Sequence, residues 1–351
     1  MAADAIGGVK ARPRPEVLKL RFDPDRSPLQ AVPRDLLRPV MRILAEHAEG
    51  AVRRVGRVWV ETDLLQDLEQ APPYPFEARG VPPQSAESRR LAQAFELGEL
   101  AWPDAAERFR QVDVALLPVG SLEQHGPHLP LDTDAFDAAL TARRVAAACS
   151  DPKPIVLPLI PYGVSYAHED FAGTVSVGPD TLSRMVYEVG MSLARQGITK
   201  LVIVNGHGGN SPALHFAAQM INRDAHIFTC VDTGETSDAD VAEISDVPND
   251  AHAGDIETST TLATRPGLVR MERAVSFVPE FSSSFLDFAS RRSIGWYART
   301  AKISPSGVFG DPTRATRSKG ERIWEVSIRR LCELVESLKR LSLDEIHQKR
   351  Y

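Results

Sequence analysis

KLVIVNGHGGNSPALHFAAQMIN, residues 200–222, decides how the chain folds. Lys200 to Asn205 is a short apolar run, and Ser211 to Asn222 repeats its apolar positions at helical spacing. A strand that is apolar on both sides and leads straight into an amphipathic helix belongs to a parallel sheet covered by helices. The same alternation runs through the chain from about residue 100. Val112 to Val119, Pro154 to Ile160 and His226 to Val231 read as further strands. Asp134 to Cys149 and Asp180 to Gln196 read as helices between them, and a last helix is expected from about Lys319 to Leu341. The pattern predicts one α/β domain over residues 95–351 with a mostly parallel central sheet.

Residues 1–94 read differently. They hold 11 of the 26 prolines but 5 of the 23 glycines, and 15 basic against 13 acidic residues, which leaves +2 there and −8 in the remainder. Stretches such as Ala71-Pro72-Pro73-Tyr74-Pro75 cannot sit inside regular elements. Leu36, Val40, Ile43, Leu44 and His47 recur at helical spacing, and Arg57 to Glu61 suits one short strand. This is an N-terminal, mainly helical extension, packed on the main domain or on a neighbouring subunit, with no catalytic constellation of its own.

Composition narrows the function. Of 351 residues, 43% are hydrophobic and 25% charged, which excludes wholesale disorder. A net charge of −6 carries no electrostatic footprint for nucleic acid or an anionic membrane. Pro154 to Val164, 11 residues with three prolines, is the longest stretch free of charged or strongly polar residues, far below the roughly 20 that a spanning helix needs. The N-terminal residues lack an apolar core of signal-peptide length. Cys149, Cys230 and Cys332 form no C-x-x-C pair and read as reduced thiols. The expectation is a soluble cytoplasmic protein with no membrane or nucleic-acid partner.

Ligands of open parallel sheets bind beyond the carboxyl ends of the strands, so the polar residues after each apolar run are the ones to examine. After the first strand comes GSLEQHGPHLPLDTD (120–134). Glu123 and His125, two apart, point the same way in extended backbone, and Asp134 returns at the next helix. A carboxylate, an imidazole and a second carboxylate suit a divalent metal with mixed nitrogen and oxygen ligands; alternatively, Asp134 only caps a helix. NGHGGN (205–210) follows the third strand, and its glycines bring main-chain amides to a helix N-terminus, where they suit an oxyanion. The alternatives are a helix cap or a phosphate nest, although the spacing is not G-x-G-x-x-G and no Walker lysine follows. HAGDIETS (252–259) puts Glu257 in a first helical turn with His252 just before it, which also suits a carboxylate that only favours the helix dipole. GVSYAHEDFAGT (163–174) lacks the second glycine of a nucleophile elbow, so a serine hydrolase is disfavoured. Five of the nine histidines, His125, His128, His168, His207 and His252, lie in these four segments, and a metal site explains that distribution best.

Together these segments, with GVFGDPTRAT (307–316) and Lys319-Gly320, resemble the creatininase (creatinine amidohydrolase) family over roughly residues 97–340. The resemblance implies a three-layer α/β/α metallohydrolase with two divalent ions per chain, zinc first, with manganese, iron or cobalt as alternatives. It puts Glu123, His125, Asp134 and His207 on ligand positions, with Asp134 between the metals. Creatininase proper has a glutamate where this chain has Gly209, and Glu257 is the carboxylate inferred to replace it. No tryptophan stands in residues 243–251, so creatinine is not the expected substrate. The family forms hexamers built from dimers, so a homo-oligomer is expected.

The implied chemistry is attack on a substrate carbonyl by a hydroxide that two metals generate near pH 7. His252 and Glu257 are the expected catalytic residues, with His252 protonating the leaving group. Ser165, His168, Gly208, Gly209 and Asn210 are expected to touch substrate. The leading function is hydrolysis of a small cyclic amide or formamide, a non-peptide C–N bond. Ring-opening C–C hydrolysis of a cyclic diketone, such as an oxidised inositol, is the alternative, and a non-catalytic binding or maturation protein on the same fold is a further one.

Overall fold

The structure is a computed structural model. It describes residues 93–232, 250–281 and 296–347, residues 91, 241, 243–245, 247 and 283, and the segments 17–18, 52–55 and 58–61. The chain divides into two units, Met1–Val81 and Pro82–Tyr351.

In the first unit three short strands are described, β1 (Val17–Leu18), β2 (Val52–Val55) and β3 (Val58–Glu61), in the order β1-β3-β2. β3 falls on the strand expected over 57–61. The helix expected over 36–47 lies outside the described residues.

The second unit is built on four parallel strands, β4 (Val114–Val119), β5 (Ile155–Val156), β6 (Lys200–Asn205) and β7 (Phe228–Asp232), in the order β5-β4-β6-β7. β4 and β6 pair over their whole length, from Val114 opposite Lys200 to Val119 opposite Asn205, and every residue of both is buried. Burial on both faces is why these runs are apolar without alternation. The expected strand over 154–160 is cut short. Leu157 N still donates to Leu116 O at 2.9 Å and Ile160 N to Pro118 O at 3.0 Å, but Pro158 between them has no N–H to give.

The helices among the described residues are α1 (Trp102–Gln111), α2 (Thr133–Ala148), α3 (Pro179–Ala194), α4 (Ser211–Asp224), α5 (Asp255–Thr264), α6 (Arg317–Arg340) and α7 (Leu343–His347). The crossovers containing α2, α3 and α4 join consecutive strands of the sheet. From β4 the chain steps to one side, to β5, and then returns past β4 to β6 and β7. Right-handed connections therefore put α2 on one face and α3 and α4 on the other, where those two pack together. α6 lies against α2 and α5 and touches β4. The result is a three-layer α/β/α sandwich. Among the described residues no helix is long and apolar enough to cross a membrane.

Because the strand order reverses between β4 and β6, a crevice opens beyond their carboxyl ends. The first turn of α2 descends into it. A Cβ on Gly120 would stand 2.3 Å from Ala135 Cα, and one on Gly206 2.3 Å from Asp134 O, so only glycine at the two strand ends admits the helix so closely.

Candidate metal centre

Glu123 and His125 leave β4 on one extended stretch, and both side chains are fully buried. Asp134 sits in the first turn of α2, but its side chain does not cap the helix. Its Oδ1 lies 2.9 Å from His125 Nε2 and its Oδ2 lies 3.2 Å from His207 Nδ1. His207 directly follows β6 and Asn205, and its Nε2 stands 3.2 Å from Glu123 Oε2. Glu257, in the first turn of α5, brings Oε2 to 3.7 Å from His125 Nε2, while Ala253 N donates to the same oxygen. That contact needs unusual backbone, since Ala253 has φ 52°, a left-handed conformation costly for a residue with a Cβ. The helix-end reading of Glu257 and its ligand reading thus describe the same carboxylate.

The main chain fixes the histidine tautomers. A carbonyl only accepts, so the ring nitrogens beside carbonyls carry the hydrogens. His125 Nδ1 donates to Glu123 O at 3.1 Å, His207 Nε2 to Val164 O at 3.0 Å and His252 Nε2 to Gln124 O at 2.8 Å. In the neutral rings the opposite nitrogens, His125 Nε2, His207 Nδ1 and His252 Nδ1, then present lone pairs to carboxylates. His252 Nδ1 stands 3.7 Å from Glu123 Oε1. Lone pairs facing carboxylate oxygens repel unless a proton or a cation lies between them.

The electrostatics carry the same tension. Burial pushes the Glu123 carboxyl up to about 7, with Asp134 adding to the rise while His207 and His125 oppose it. Burial acts to lower His207, but Glu123 and Asp134 outweigh it and raise the ring to about 9. Asp134, despite its burial, is held well below the usual carboxylate range by His125 and His207. Among the described residues, both oxygens of Glu123 and Oδ2 of Asp134 are buried without a hydrogen-bond donor. Three groups of side chains have ligand atoms within 4.8 Å of one another: Glu123, Asp134 and His207; His125, Asp134 and Glu257; and Glu123, His125 and His252. Donorless carboxylates, histidines oriented by main-chain carbonyls and mixed N/O chemistry fit a divalent cation.

The other expected residues lie around this cluster. His168, buried, accepts from Gln124 Nε2 at 2.7 Å on Nδ1 and brings Nε2 to 3.4 Å from Glu123 Oε1. Burial, with His207 and His125, depresses its pKa to about 3. Ser165 is buried with Oγ against Ser121 Oγ. Gly208, Gly209 and Asn210 form a single 3-10 turn before α4. A Cβ on Gly209 would lie 2.4 Å from both His207 Nε2 and Val164 O, so no glutamate fits there. The Asn210 amide is buried and donates to Gly120 O and Asn205 Oδ1, while its Oδ1 accepts from Val164 N. It ties the loops together from behind.

Sequence reading did not single out Gln124, which faces both His168 and His252, or Asp137, one helical turn beyond Asp134. Asp137 accepts from Thr260 Oγ1 at 3.2 Å. Its three-residue offset from Asp134 on a helix was the available signal, because side chains so spaced share a face.

A family model described as creatinine amidohydrolase matches residues 98–335. The chain belongs to the creatininase family. Within it, the chain is 37% identical over 237 residues to the mycofactocin precursor peptide peptidase of Mycobacterium ulcerans (strain Agy99), covering 65% of this chain and 86% of that protein. It is 28% identical over 251 residues to the 3-dehydro-scyllo-inosose hydrolase of Thermotoga maritima, covering 66% and 79%. A solved structure titled "Creatininase Mn" superposes with a TM-score of 0.60 at 26% identity, covering 71% of this chain and all of that one. This creatininase-family chain is a metal-dependent hydrolase with the family's sandwich fold.

Proposed function

We propose that this chain hydrolyses an amide C–N bond, with two divalent ions held around Asp134. The observation that carries the proposal is the sharing of Asp134 by two ligand groups, one completed by Glu123 and His207 and the other by His125 and Glu257. Zinc and manganese both accept such donors. Bound there, the ions would polarise the scissile carbonyl and lower the pKa of a water toward about 7.

The chain's own residues do the rest. The carbonyl hydrogen bonds from His125 and His207 hold those rings so that only one nitrogen of each can ligate. The main-chain amides of Gly208 and Gly209 stand where α4 begins and steady negative charge developing on the carbonyl oxygen. His252 Nδ1, the unprotonated nitrogen beside Glu123, takes a proton from the attacking water and gives it to the leaving nitrogen. His168 faces Glu123 with Nε2 at 3.4 Å from Oε1.

Among amides, a peptide bond in a short peptide takes precedence over the small cyclic amide or formamide expected from the sequence, because the 37% identical relative is named a peptidase. A second reading, ring-opening C–C hydrolysis, is favoured by the 28% identity to an inosose hydrolase. The test is to strip the protein with a chelator, reload it with zinc or manganese, and offer short peptides, cyclic amides, formamides and cyclic diketones. Metal-dependent release of new amine from peptides is the expected result. Turnover of the diketones alone would replace the leading reading with the second.

A further inference from the structure

Beside the cluster, a cavity of about 390 Å³ is lined by Asp134, His207 and Glu257 together with Asp137, Thr260 and Trp324. That volume suits a small ligand or the end of a larger one. Asp232 and Arg330, also in its lining, pair with each other at 3.0 Å. Among the described residues Asp137 has no ion pair of that kind: Oδ2 accepts one hydrogen bond, from Thr260, and Oδ1 is buried without a donor. Arg265 commits Nη1 to both oxygens of Asp132, at 2.8 and 2.9 Å, and reaches Asp137 through its charge rather than a hydrogen bond. Asp137 is also absent from all three ligand groups. Asp137 is only partly buried, and a carboxylate with one unsatisfied buried oxygen gains from an N–H that a guest brings to its open side.

We propose that Asp137 is a specificity residue that binds a protonated amine on the substrate, close to the carbonyl under attack. This rests on the metal-hydrolase reading above. The substrate class is an amide bearing a free amine near the scissile bond, such as an α-amino amide, rather than its N-acylated form. The cavity supplies the geometry, with Asp137 in the same lining as the metal ligands Asp134, His207 and Glu257 and Thr260 fixing its orientation.

Hydroxamates separate the two recognition elements, since their chelating end engages a metal whether or not an amine is present. Glycine hydroxamate and N-acetylglycine hydroxamate are titrated calorimetrically into the zinc-loaded protein, into D137N and into D137E, with zinc content and thermal melting measured on each. The parent should bind the free-amine probe about tenfold more tightly, the difference that about 1.4 kcal/mol represents. D137N should lose that preference while binding the acetylated probe as the parent does, and D137E should recover part of it. A parent without the preference, or a D137N that keeps it, overturns the proposal. If D137N melts early, the parent and D137E still decide: equal binding of both probes by either one counts against it. A parent chain that holds no zinc brings down the metal-hydrolase reading and this proposal together, and the zinc assay distinguishes that outcome.

Discussion

The two halves of the candidate centre are held by different physics. Glu123, His125 and His207 lie at the carboxyl edge of β4 and β6, on loops only a few residues beyond fully buried strands, and Asp134 lies in the first turn of α2. His252 and Glu257 have no strand of the sheet beneath them. His252 exchanges main-chain hydrogen bonds with Phe309, His252 N to Phe309 O at 3.1 Å and the reverse at 2.8 Å. Asp250 accepts from the first amides of α5, Asp255 N and Ile256 N, both at 2.8 Å. Asp255, fully buried, accepts from Lys319 Nζ at 2.7 Å. One half is rigid because apolar surface is buried beneath it, and the other because long-range polar braces meet there. Loss of the apolar core should unfold the domain, whereas loss of one brace should loosen half of the site.

The largest effect should therefore come from the core. Leu116→Ala, in the centre of β4 and fully buried, should lower the unfolding free energy in urea by about 2–5 kcal/mol, with metal content of the folded protein unchanged. A change in stoichiometry without a loss of stability would reverse the comparison. Next is a contact that joins the halves. His128, from the β4 loop, bonds Thr258 of α5 at 2.9 Å, and burial, with His125, lowers its pKa to about 4. The folded state thus favours neutral imidazole. The resulting stability is complete above the unfolded pKa of about 6.5 and is lost as pH falls toward 4, at most about 3 kcal/mol. Urea melts at pH 7 and pH 5 should show the loss, and His128→Gln should flatten it.

Removing a brace comes third. Asp255→Ala leaves the Lys319 ammonium without its carboxylate and should cost about 2 kcal/mol, less than a fully buried pair because Lys319 is partly exposed. Metal titration should show weaker binding at the position that uses Glu257 than at the one that uses Glu123 and His207. The smallest effect is on the surface of α3, where the Arg184–Glu188 pair, 57% and 58% exposed, should change melting by no more than about 0.5 kcal/mol on Arg184→Ala.

The same division explains what could be read from sequence. β6 runs from Lys200 to Asn205 in the structure, as its apolar pattern indicates, and α2, α3 and α4 begin within one residue of their expected starts. Burial on a sheet leaves a local periodic trace. Glu123, His125 and His207 were visible because each lies soon after such a trace, and Asp134 because it opens the next one. The braces left none: Asp255 and Lys319 are 64 residues apart, and nothing in either segment names the other. α1 was not read at all, and β5 was overestimated because the apolar run hides the donor missing at Pro158.

Elemental analysis of the purified parent, Asp134→Ala and Glu257→Gln tests the central claim most directly. If Asp134 serves both positions, the parent should hold about two transition-metal ions per chain, Glu257→Gln about one, and Asp134→Ala close to none. An Asp134→Ala protein that folds and still holds two ions would contradict the shared-carboxylate centre on which the proposed chemistry depends.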